Sequence, residues 1–111
     1  MSRRPSAPVD TAIRALCQRL RAIRENYGGE GLALRPWAAL LGERGYPLDF
    51  TTVGDWERGR TAVPASYVLM VHRISNVSVE WIMTGEGPAP SWAGFAEARA
   101  QRLQAAERPS S

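Results

Sequence analysis

Glycine interrupts this chain at short intervals, and the pieces between the interruptions carry apolar residues at three- and four-residue steps. Gly28, Gly29 and Gly31 crowd into one short stretch, which favours a loop. Gly42 and Gly45 lie just before Pro47, Gly59 closes a third piece, and Gly85 closes a fifth. Apolar residues that recur with a helical rather than an alternating period predict an all-α fold of short helices. The first helix should run from Asp10 or Thr11 to about Tyr27, with Ile13, Leu16, Cys17, Leu20, Ile23 and Tyr27 inward and Arg14, Gln18, Arg21 and Glu25 on the opposite face. A second should begin at Leu34 or Arg35, where Pro36 fits the first turn, and bury Trp37, Ala38 and Leu41. It either stops at Leu41 before an outward-bulging turn or extends to Arg44 before a stop at Gly45.

The third piece is the most informative. Asp49 is placed to cap it and Gly59 to end it. Val53 and Trp56 fall on one face, while Phe50, Thr51, Thr52 and Asp55 fall on the other side or its margins. One face packs and one is free to touch a partner. A fourth helix should open at Pro64 and reach Asn76, with Tyr67, Val68, Val71 and Ile74 inward. Ser78 should cap a fifth that carries Trp81 and Ile82 and stops at Gly85. Over residues 91–107 the period weakens, with Trp92, Phe95, Ala96, Arg99 and Leu103 as its members.

At 111 residues the chain has room for one core, and 44% apolar content with four tryptophans argues for a folded chain. The expected organisation is a flexible arm at 1–9, a helical domain at 10–88 and a helical or partly disordered tail at 89–111. Cys17, the only cysteine, sits among apolar positions and is read as an inert core thiol. His72 is the only histidine and has no companion ligand, so no metal or other cofactor is expected. No run is apolar enough to span a bilayer, and Met1-Ser2-Arg3-Arg4-Pro5 is not followed by the apolar stretch of a signal peptide, so a cytosolic or nucleoid location is expected. Charge is uneven. Residues 1–24 hold six arginines against Asp10 alone, whereas the rest holds eight against ten acids. Such an asymmetry marks either a polyanion-facing edge or a solvated helix face.

The run Val53-x-x-Trp56-Glu57-Arg58-Gly59-Arg60, followed by Pro64, resembles the recognition-helix end of the Cro/repressor-type (XRE) helix-turn-helix family. A second run, Val77-Ser78-Val79-Glu80-Trp81-Ile82-Met83-Thr84-Gly85-Glu86-Gly87-Pro88, is similar to the end of the repressor domain in temperate-phage relatives. The likeness spans about residues 16–88. It implies a compact five-helix domain that binds double-stranded DNA, with the helix after Asp49 in the major groove. Thr51 and Thr52 are then the candidates for base contact, Phe50 for thymine methyls, and Asp55 for a cytosine amino group or for steering Arg58 and Arg60. Arg58 and Arg60 are the candidates for phosphates. Leu34 stands where the family has a polar residue at the head of the second helix, which leaves Arg35 as the phosphate contact there. Leu48 takes the place of the turn's buried aliphatic residue, and Glu57 ties the motif together through Arg35 or Arg44. Arg3 and Arg4 are candidates for a minor-groove arm. A single small domain covers one half-site, so a homodimer on a near-palindromic operator is expected, acting as a transcriptional repressor, with Trp81, Trp92 and Phe95 on candidate pairing surfaces.

The alternative is a helix-turn-helix-derived protein-interaction module, favoured by the long 42–48 turn, Leu34, Gly54 and Asp55. No spacing supports a nucleophile–base pair, so the chain is not expected to be an enzyme. It has no lysine for the serine–lysine self-cleavage that some phage repressors use.

Overall fold

The longest helix frames the rest. In the computed structural model, which describes residues 7–92, α1 spans Ala7–Asn26 and begins earlier than the expected Asp10 or Thr11. Pro8 lies in its first turn, where no intrahelical amide bond is lost. Cys17, Leu20 and Ile23 are buried, Leu16 and Tyr27 partly so, but Ile13 is 48% exposed. Burial pushes the Cys17 thiol above its ordinary pKa, which suits an unreactive core group. A 3-10 turn, Tyr27–Gly29, then reverses the chain.

The remaining helices are α2 (Leu34–Glu43), α3 (Phe50–Glu57), α4 (Ala65–Ser75) and α5 (Val79–Thr84). Five α-helices and no strand make up the described residues, so the all-α expectation holds. Of the two endings considered for α2, the longer one is found. Arg44 caps it and Gly45 takes a left-handed φ of 92°. The Gly45 N–H then bonds to the Gly42 carbonyl at 3.1 Å, and the Tyr46 N–H to the Leu41 carbonyl at 2.8 Å. These paired bonds form a Schellman ending, which satisfies carbonyls that a helix otherwise leaves open. The chain beyond it folds back onto the domain. Tyr46 packs near Tyr67 and its hydroxyl lies 2.9 Å from that of Ser66, while Leu48 is partly buried against the core.

Every helix contributes to one core: Leu20 and Ile23 from α1, Trp37 and Leu41 from α2, Val53 from α3, Tyr67, Val68 and Val71 from α4, and Ile82 from α5. Its central polar contact is a 2.9 Å bond from the Trp37 indole N–H to the Tyr67 hydroxyl, which leaves the indole donor satisfied. Burial holds the Tyr67 phenol well above its ordinary pKa. Tyr67 also packs against Trp56, with ring centroids 4.7 Å apart.

The last helix is pinned from both ends. The Ser78 hydroxyl accepts the Trp81 N–H at 3.1 Å, the expected cap, and Gly85 ends α5 with its N–H on the Trp81 carbonyl at 2.8 Å. Arg19 of α1 donates to the carbonyls of Ile82 (2.8 Å) and Met83 (3.1 Å), so a side chain completes the ending. Trp92 meets Trp81 edge-on at 5.8 Å. His72 is half-buried, its Nδ1 lying 2.7 Å from the Val77 carbonyl. Arg3, Arg4, Phe95 and the rest of the expected tail helix lie outside the described residues. Among the described residues, no helix is long and apolar enough to cross a membrane.

Candidate nucleic-acid interface

What holds α3 in place is a buried ion pair. Arg24 of α1 grips Glu57 with a two-toothed contact, Nε–H to Oε2 at 2.8 Å and a second N–H to Oε1 at 2.7 Å. Its remaining arm donates to the Leu32 carbonyl at 2.7 Å. The two side chains are 9% and 5% exposed, so the pair is shielded from salt and its geometry is fixed by the fork. The hydrogen bond to Glu57 raises the Arg24 pKa further, against the opposing effect of burial. Glu57 therefore ties α3 to α1 through Arg24, and not to the expected Arg35 or Arg44. Those two residues are exposed on α2 and at its end.

The inward side of α3 is Val53 and Gly54, both buried, with Trp56 partly buried beside them. A Cβ at Gly54 would stand 3.4 Å from the Leu34 methyl of α2 and 3.2 Å from the Arg58 guanidinium. The tight neighbour is thus the Arg58 guanidinium rather than the second helix, whose Leu34 methyl stands at ordinary contact distance, so close approach to α2 does not by itself account for a residue that lowers helix propensity by about 1 kcal/mol relative to alanine.

The outward side carries the residues singled out from sequence. Thr51 is exposed, and Thr52 and Phe50 are half-buried. The Arg35 guanidinium sits over the Phe50 ring, 4.2 Å from its centroid, so a cation–π contact joins the heads of α2 and α3. Asp49 stands at the N-cap position but does not cap through its side chain, contrary to expectation. Its carboxylate instead accepts the Thr51 hydroxyl at 2.7 Å. Short acidic and hydroxyl side chains compete for such local bonds, and here the hydroxyl wins over the backbone amide.

At the other end, Asp55 collects two arginines. Its Oδ1 lies 3.3 Å from Arg58 and 3.9 Å from Arg60. The backbone beneath them is set by Gly59, at φ 74°, whose N–H bonds to the Trp56 carbonyl (3.1 Å) while the Arg60 N–H bonds to the Asp55 carbonyl (2.9 Å). This repeats the Schellman ending of α2 and delivers Arg58 and Arg60 to the surface, 51% and 68% exposed.

The structure brings two arginines of the outer face of α1 up to the end of α3. A groove of about 670 Å³ runs between α1 and the end of α3, with Arg14 and Arg21 on one wall and Arg58 and Arg60 on the other. Arg24 was legible in principle, since Cys17, Leu20, Arg24 and Tyr27 form one run of helical spacing and only Arg24 in it is charged. No protein-family model, no curated protein and no solved structure matches the chain.

Proposed function

We propose that this chain is a sequence-specific DNA-binding transcriptional regulator of the helix-turn-helix class, with α2 and α3 as the helix pair. It acts as a repressor by occupying a near-palindromic operator as a homodimer. The observation that carries the reading is the build of α3. The helix is anchored by Val53, Trp56 and the Arg24–Glu57 fork, and it turns Thr51 outward between Arg35 at one end and Arg58 and Arg60 at the other. Short hydroxyl side chains suit base edges, and flanking arginines suit phosphates. Asp55 lies 3.3 Å from Arg58 and 3.9 Å from Arg60, and phosphates replace it as their partner on binding.

Selection from random-sequence duplexes, followed by mobility shift at several salt concentrations, tests the reading. An enriched inverted repeat bound by two copies is the expected result. Arg58→Ala should weaken binding to all sequences alike and reduce the salt slope by about one, while Thr51→Ala should change preference at particular base pairs. Equal effects of both on every duplex would undo the assignment of roles.

One observation favours a second reading, in which this surface meets a protein. Thr51 already has a partner in Asp49, and Arg58 and Arg60 in Asp55, so the face is satisfied without DNA. No enrichment at low salt, together with a stable protein partner, would favour that interaction module.

A further inference from the structure

We infer that the groove between α1 and the end of α3 is a second phosphate-binding surface, gripping the sugar–phosphate backbone of the duplex that α3 reads. The inference rests on the DNA-binding reading and extends it to α1, whose arginines the sequence left open between a polyanion-facing edge and a solvated helix face.

The argument starts from the two walls. Arg58 and Arg60 form one. Facing them, Arg14 and Arg21 project from the same side of α1, two helical turns or about 10 Å apart along its axis. Arg14 is exposed and has no ion pair among the described residues, and Arg21 pairs only with exposed Glu25 at 2.8 Å. Of the acids that line the groove, Glu57 is neutralised by Arg24, which leaves Asp10. Two further acids stand beside it, Glu25 on Arg21 and Asp55 shared by Arg58 and Arg60, so four arginines meet three carboxylates. Cations therefore outnumber the carboxylates around the groove.

Ile13 lies among these arginines, 48% exposed. An apolar side chain there gains little from a bare inorganic anion but can lie against deoxyribose. Guanidinium forks on both sides with an apolar residue between them match a chain of phosphodiesters and sugars. Arg58 and Arg60 belong to both surfaces, so a strand that leaves α3 at its C-terminal end passes directly into the groove.

The test uses the full chain, the double variant Arg14→Gln/Arg21→Gln, and a control, Arg73→Gln, which removes an exposed charge from α4 away from the groove. Binding to the selected duplex and to scrambled duplexes is measured from 50 to 200 mM salt, with thermal melts to verify folding. Each phosphate contact adds about 0.9 to the salt slope. The double variant should therefore lose about 1.8 in slope, so that over this range its affinity falls about tenfold less than that of the unaltered chain. Sequence preference should be retained and the control should behave as the unaltered chain does. If the unaltered chain binds its duplex and the double variant keeps the same slope, the groove assignment is overturned and the DNA reading stands. The same loss from the control would also overturn it, as a mere net-charge effect. If the unaltered chain enriches and binds no duplex at all, the DNA reading fails and this inference with it.

Discussion

Glu57 is the residue on which position and stability both depend. With its carboxylate removed, Arg24 remains in a nearly solvent-free site with one carbonyl as partner. Leaving a buried charge uncompensated costs about 3–5 kcal/mol, a large part of what a small domain has. Glu57→Ala should therefore lower the urea midpoint strongly. The double variant Arg24→Met/Glu57→Leu removes both charges and should recover most of the loss, because desolvating the pair consumes much of its own attraction. Urea melts of the single and double variants check this. Recovery of stability together with weaker duplex binding by the double variant would, on the proposed reading, assign the pair to orientation rather than to stability.

At the scale of the element, α2 and α3 end alike, each on a glycine in the left-handed region. Gly59→Ala places a side chain where L-residues pay about 1–2 kcal/mol. No other atom lies within 4 Å of the added Cβ, so backbone conformation alone sets that loss. The expected outcome is a fall in stability of that order together with weaker DNA binding, as Arg60 loses its fixed backbone; denaturant melts and mobility shifts read the two. Such local punctuation was what made the elements legible. Ser78, Gly85, Pro64 and Gly59 marked their helix boundaries because capping and φ preference act within a few residues. The start of α1 was missed because Pro8 suits a first turn as well as an arm. The partner of Glu57 was missed because Arg24 lies 33 residues away, and a through-space pairing leaves no mark on neighbouring positions. The outward residues of α3 were identified from the spacing, yet their satisfaction by Asp49 and Asp55 depends on rotamers that spacing does not encode.

For the molecule as a whole, Tyr67 links most of the core. It accepts from Trp37, packs on Trp56 and lies beside Tyr46. Its folded pKa is raised, so the protonated phenol is favoured by folding and the associated stability is present below the unfolded value of about 10. As pH rises past that value the unfolded chain ionises first, and stability should decline through the folded pKa. Melts between pH 8 and 11 should show this slope. Tyr67→Phe should reduce it, leaving the part that the raised Cys17 thiol contributes in the same direction, while lowering stability at neutral pH, because the Trp37 N–H loses its acceptor at a cost of about 1–3 kcal/mol.

The Arg24–Glu57 fork has one more consequence, for the space beside it. Arg24 sits on the same helix as Arg14 and Arg21, and Glu57 directly precedes Arg58. Two parallel bonds at 2.7–2.8 Å therefore set the gauge between the walls, like a calliper locked at one opening. On the proposed DNA-binding reading, a strand would have to match that width on arrival, so that selectivity for duplex geometry would need no jaw to shut.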